Sequence, residues 1–117
     1  MRGWQWVIDK FPCYNYNVNM QGISFEWDKK KNSANRKKHS VSFDEATTVF
    51  VDEKALLIED PEHSEEEERF ILLGLSSRLR ILLVCHCYRQ SDRVIRIISA
   101  RKASQSEQQQ YRERWKA

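Results

Sequence analysis

A chain of 117 residues, 40% hydrophobic and 11% aromatic, is sized for one domain with one core, and that apolar content excludes global disorder. It holds no apolar run near the ~20 residues of a membrane span. Its N-terminus lacks the apolar stretch of a signal peptide, so a cytoplasmic protein is expected.

The net charge of +3 is small, but the charges are segregated. Residues 28–39 carry six Lys and Arg against one Asp, residues 59–68 carry seven acids and no Lys or Arg, and residues 89–117 carry eight Lys and Arg against three acids. Such separation presents a basic surface and an acidic one. Taken singly, each cluster also fits a solvated loop or helix face.

Residues 1–21 show no helical or strand period, although Trp4, Trp6, Phe11, Tyr14 and Tyr16 fall there. Met20 stands just before the strand-like Ile23–Trp27. Translation is therefore expected to start at Met20, with the first 19 residues upstream of it; 1–21 are read as an N-terminal extension, poorly ordered or a non-native start, and 22–117 as one domain. Asp28 is placed to cap a helix running to about His39. Ala34 is its only apolar side chain, while Lys31, Asn35, Lys38 and His39 fall at i, i+4, i+7 and i+8 and share a face. A helix that is polar all round leans on tertiary contacts or binds something with its polar face.

Ser42-Phe43-Asp44-Glu45 reads as a capping box, each side chain satisfying the other residue's backbone N–H. Phe43, Ala46, Val49 and Phe50 give that second helix a core-facing stripe. Strands are predicted at Ala55–Ile58, closed by Pro61, then at Arg69–Leu75, Arg80–Tyr88 and Arg93–Arg101. Short connections at Ser76-Ser77 and Gln90-Ser91-Asp92 favour sequential antiparallel pairing. Ser104 caps a C-terminal helix running through Trp115. The expected fold is α+β: a short N-terminal strand, two helices, an antiparallel sheet of three to four strands and a final helix.

Cys85 and Cys87 lie two apart on a predicted strand, so they share a face but diverge too far to bridge easily. His86 points the opposite way, which argues against a metal site. Buried reduced thiols are expected, with no metal and no cofactor.

Several short motifs stand in a fixed order: Phe25-Glu26-Trp27-Asp28, Asn35 with Lys38-His39, Val41-Ser42-Phe43-Asp44-Glu45-Ala46, Val49-Phe50 with Asp52, Asp60 with His63-Ser64, Glu67-Glu68-Arg69, and Arg96-Ile97-Ile98-Ser99-Ala100-Arg101. Over roughly residues 23–111 the chain resembles the BrnT family, toxins of bacterial type II toxin–antitoxin pairs. The resemblance implies a RelE-like ribonuclease fold, RNA cleavage that inhibits translation, and neutralisation by a BrnA antitoxin of ribbon-helix-helix type. It further implies a heterotetramer with two antitoxin chains, which meets operator DNA only through the antitoxin. Two positions depart from the family pattern: Ser40 and Leu79 stand where glycine is usual.

The residues suit that chemistry. Cutting RNA without metal needs a base for the 2′-OH, a donor for the leaving 5′-oxygen and cations for the phosphate. Only His39, His63 and His86 offer an imidazole, whose ordinary pKa of about 6.5 suits acid–base work near neutral pH. Arginines supply bidentate phosphate contacts. The candidate catalytic set is His39, Lys38, Arg69 and Arg101, and the candidate RNA contacts are Lys31, Asn35, His63, Arg89 and Tyr111, the last by stacking a base. Each has a structural reading beside it. His39 can satisfy carbonyls at a helix end, His63 can cap a turn, His86 can sit satisfied in a strand, and Tyr111 can pack its helix on the sheet. Two rival functions stand beside the toxin: a catalytically inactive antitoxin-binding module, and a nucleic-acid-binding module known by steep salt dependence without product.

Overall fold

The computed structural model describes residues 22–60, 68–89 and 93–116, the side chains of 115 and 116 excepted. The expected extension at 1–21 and the candidate His63 lie outside the described residues.

Strand β1 (Ser24–Glu26) leads into helix α1 (Lys29–His39). Asp28 caps α1 as its sequence position requires, Oδ1 accepting from the Lys30 N–H at 2.8 Å and the Lys31 N–H at 3.2 Å. At the other end Ser40 adopts φ 60° and donates its N–H to the Arg36 carbonyl at 2.9 Å, the left-handed closing position that favours glycine. Lacking an apolar stripe, α1 is anchored by amides. Asn35 Nδ2 donates to the Val41 and Ala100 carbonyls at 2.9 and 2.7 Å, and its Oδ1 accepts from the Ala100 N–H at 3.2 Å. Asn32 Oδ1 accepts from the Phe43 N–H at 2.9 Å. This corrects the expectation of an RNA contact at Asn35: it is 7% exposed, and both ends of its amide are spent on backbone.

Helix α2 (Phe43–Thr48) continues as a 3-10 turn over Val49–Val51. Half of the expected capping box forms, with Ser42 Oγ accepting from the Glu45 N–H at 3.1 Å. The Glu45 carboxylate instead accepts from Ser76 Oγ at 2.6 Å and from the Arg80 guanidinium through Nε at 3.0 Å and through Nη2. Arg80 Nη2 also donates to the Ser40 carbonyl at 3.0 Å. Burial pushes the Glu45 carboxyl up, but hydrogen bonds from Arg80 and Ser76 outweigh it and hold the group below its ordinary value. Arg80 thus fastens the end of α1 and the start of α2 to the sheet.

The strands that follow are β2 (Leu56–Glu59), β3 (Phe70–Leu75), β4 (Ile81–Arg89) and β5 (Val94–Lys102), and α3 (Gln105–Lys116) ends the fold. β2 to β5 pair antiparallel in sequence order, as their short connections predict. β1 joins the same sheet beside β5 and parallel to it, giving the order β1-β5-β4-β3-β2. The sheet is therefore five-stranded and mixed, larger than the three to four antiparallel strands expected. The three-residue β1 pairs too far along the chain for its partner to be read locally.

Adjacent leucines show that the sheet is covered twice, because neighbours along a strand face opposite ways. Leu57, Leu72 and Leu82 pack with Phe43, Ala46 and Val49, whereas Leu56, Leu73 and Leu83 pack with Ala103 and Tyr111 of the other layer. Asp52 ties that second layer down: Oδ2 accepts from the Leu75 N–H at 2.8 Å and from the Tyr111 hydroxyl at 2.7 Å. Tyr111 is 3% exposed, so it packs α3 on the sheet and is not available to stack a base. Gly74 makes this close approach possible, since a Cβ there would stand 2.9 Å from both Asp52 Oδ2 and Val49 Cγ1.

One irregularity positions the site. Cys85 pairs with Ser99 but His86 pairs with Ile97, leaving Ile98 as an extra residue in β5. A bulge of this kind resets which residues face which way. Ile95, Ile97 and Ala100 all enter the core under α1 and α2, and Ser99 and Arg101 emerge on the other face.

Candidate active site

A cleft of about 260 Å³ opens on that other face, past the part covered by α3. Its floor is Ile71 of β3 with Leu83 and Cys85 of β4; one wall is Ile98 to Arg101 of β5; His39 enters from the end of α1, and Asp60 and Arg69 stand on the opposite side. Each position has a local cause. The left-handed turn at Ser40 ends α1 so that His39 sits over β5. The β5 bulge aims Arg101. The Asp60 N–H donates to the Arg69 carbonyl at 2.9 Å, extending the β2–β3 ladder by one step and holding both residues at the cleft edge.

Arg101 is gripped from one side. Its Nη1 and Nη2 donate to Glu107 Oε1 and Oε2 at 2.9 and 3.0 Å, and Nη1 also donates to the Lys102 carbonyl at 3.2 Å. Glu107 in turn closes the capping box of α3: its Oε1 accepts from the Ser104 N–H at 2.7 Å and its own N–H donates to Ser104 Oγ at 3.2 Å. The Arg101 hydrogen bonds, joined by those from Ser104, draw the Glu107 carboxyl down to about 2. A planar guanidinium fixed along one edge still presents N–H groups to a phosphate on the other.

The Cys85 thiol donates to Asp60 Oδ2 at 3.7 Å. Burial, then the Asp60 charge, pushes it up to about 11, so near neutral pH it is a thiol and a poor nucleophile. The expectation of wholly buried thiols holds for Cys87, 2% exposed, while Cys85 is half-buried and faces the cleft. His86 points the opposite way, as predicted, and is fully buried. A carbonyl can only accept, so Nδ1 carries the proton and donates to Val84 O at 3.1 Å, leaving Nε2 to accept from the Tyr88 hydroxyl at 3.0 Å. Burial lowers its pKa to about 4, and rings of Phe50, Phe70 and Tyr88 enclose it.

Of the candidate catalytic residues, then, the structure brings His39, Arg69 and Arg101 to one cleft. Lys38 is exposed beside His39 and does not line it. Lys31 is exposed at the far end of α1. Arg89 lies four residues along β4 from Cys85, ~13 Å away at strand spacing, and stands 3.8 Å from Glu26, which also accepts from Arg96 at 2.8 Å. It belongs to an ion cluster at the opposite end of the sheet and does not line the cleft. Asp60, Cys85 and Ser99 are cleft residues that sequence reasoning did not select. All three lie within or beside the motifs it noticed, but only the register shows which way they face.

A mixed sheet with helices on both faces, and a cleft at the end of α1 lined by His39, Arg69 and Arg101, define a small α+β domain. Residues 27–107 match the family model for "Ribonuclease toxin, BrnT, of type II toxin-antitoxin system", and the chain belongs to the BrnT family. The crystal structure of the Brucella abortus ribonuclease toxin BrnT has a similar fold, with a TM-score of 0.53 at 23% identity over 70% of this chain and 97% of that one. No curated protein matches the chain.

Proposed function

We propose that this chain is an endoribonuclease toxin that cleaves RNA in the cleft, without a metal, and thereby stops translation in the cytoplasm. The observation that carries the reading is the meeting of His39, Arg69 and Arg101 around one anion-sized cleft. His39 takes the proton from a ribose 2′-OH, whose oxygen attacks the adjacent phosphorus. The bond to the 5′-oxygen breaks, that oxygen takes a proton from solvent, and a cyclic 2′,3′-phosphate remains. Arg69 and Arg101 carry the charge that builds on the phosphoryl oxygens. Lys38 supports the reaction from the cleft rim by holding an outer phosphate. Membership of a type II toxin family supports an antitoxin partner. We take it to be a BrnA-like ribbon-helix-helix protein, two copies of which join two toxins and alone contact operator DNA.

The test is induced expression in a bacterial host of the wild type, His39→Ala and Arg101→Ala, with total RNA run on a gel. Growth arrest with RNA breakdown is expected in the wild type, and a loss of at least ~100-fold in cleavage rate in each variant. Soluble wild-type protein that leaves growth and RNA untouched would instead favour an inactive antitoxin-binding module. Full toxicity in both variants would remove them from the site, and activity lost in EDTA would refute metal independence.

A further inference from the structure

Helix α1 is electrostatically wrong for a helix that only supports a fold. Lys29, Lys30 and Lys31 occupy its first turn, at the positive end of the helix dipole, where cations are unfavourable. The one nearby acid, Asp28, is spent on the cap. Arg36, Lys37 and Lys38 follow, so six cations stand on eleven residues with no acid among them. All six are exposed, and none makes a hydrogen bond or ion pair through its side chain with any described residue.

Their placement is ordered. Asn32, Asn35 and His39 take the inward face, by contacts already described. The cations recur at i and i+7: Lys30 with Lys37 points straight outward, and Lys29 with Arg36 and Lys31 with Lys38 flank it on either side, making three rows each ~10 Å long around the exposed part of the helix. There Ser33, Arg36 and Lys37, spaced i, i+3 and i+4, line a shallow concavity that presents one hydroxyl and two cations. The helix also ends at the cleft, because His39 is its last residue.

We infer that the outward face of α1 is an RNA-backbone seat, which holds the phosphates of the strand running out of the cleft past His39. The inference rests on the ribonuclease reading and adds its substrate class: a strand several nucleotides long, held by phosphates and not by base edges. The repulsion left uncompensated in the free protein is relieved when a polyanion lies along the rows.

The test uses the full chain and a cleavage-resistant, fully 2′-O-methylated 20-nucleotide RNA, with affinity measured by fluorescence anisotropy across a salt series. The variant is Lys30→Gln/Arg36→Gln/Lys37→Gln, compared with a control that removes the same charge elsewhere, Arg78→Gln/Arg93→Gln/Arg112→Gln. The α1 variant is expected to bind at least tenfold more weakly near 0.1 M salt. Its log–log salt slope should fall by about 2, at ~0.7 for each phosphate of a single strand that is no longer neutralised, while the control stays within about twofold of wild type. Equal losses in both variants would reduce the effect to net charge and overturn the seat. So would an α1 variant that binds RNA normally but escapes its antitoxin, since the face would then hold an acidic protein segment. A wild type that cleaves RNA while α1 substitutions leave affinity and slope unchanged would refute the seat alone; a wild type that neither binds nor cleaves RNA would refute the ribonuclease reading with it.

Discussion

Ser40 and Leu79 are the two non-glycine residues with positive φ among those described, at 60° and 62°, and they are also the two positions at which the resemblance led glycine to be expected. An L-residue there costs about 1 kcal/mol. Leu79 closes the β3–β4 turn, in which its N–H donates to the Ser76 carbonyl at 2.9 Å and the Ser76 N–H donates to the Arg80 carbonyl at 2.9 Å. It is 78% exposed, so replacing it loses almost no packing. Leu79→Gly is therefore expected to stabilise the domain by about 0.5 kcal/mol, the relief of strain outweighing the added chain entropy of glycine. Urea denaturation of the two proteins decides it, and a lower midpoint with unchanged slope would show that the turn carries no strain. The sequence pattern marked these two residues as departures, but only the dihedral angles give them a common physical cause.

At the level of elements, α3 reaches the cleft through Glu107, which serves the cap and Arg101 at once. Glu107→Gln keeps an oxygen for the Ser104 N–H but cannot grip both guanidinium nitrogens with a charge. A loss of about 1 kcal/mol or less is expected, because the pair is partly solvated. The sign with pH follows from the lowered carboxyl. Its stabilisation is complete above the ordinary value of 4.5 and is lost as pH falls toward about 2. Denaturation midpoints measured from pH 5 to pH 2 should fall less steeply in the variant than in the wild type; parallel curves would mean that the pair contributes nothing. Most elements were legible from caps, apolar stripes and turn residues. The bulge was not. Strict alternation over Arg93–Arg101 places Arg101 on the same face as Ile95 and Ile97, in the core, and the extra residue at Ile98 is what turns it outward. Nor did helical spacing show that Asn35 faces the sheet, because an amide that ties down backbone and one that binds RNA look the same in sequence.

For the molecule as a whole, the buried neutral His86 makes the core a pH-dependent object. Its pKa is about 4 in the fold against 6.5 for the ordinary group, so protonation favours the unfolded chain. Stability is complete above pH 6.5 and falls toward pH 4, by up to about 1.4 kcal/mol per pH unit. Chemical denaturation between pH 7 and pH 4 should show that slope in the wild type and lose it in His86→Gln, and a flat wild-type profile would show that His86 protonates without penalty. The strand order carries a separate consequence, one of timing during synthesis. β5 lies between β1 and β4, so the oldest strand gains its neighbour only when one of the youngest has been made. His39 is synthesised early and Arg101 late, and the wall that joins them does not exist until β5 is inserted. A ribosome making this chain therefore carries no assembled cleft until Arg101 has been added and β5 has slipped between its two neighbours.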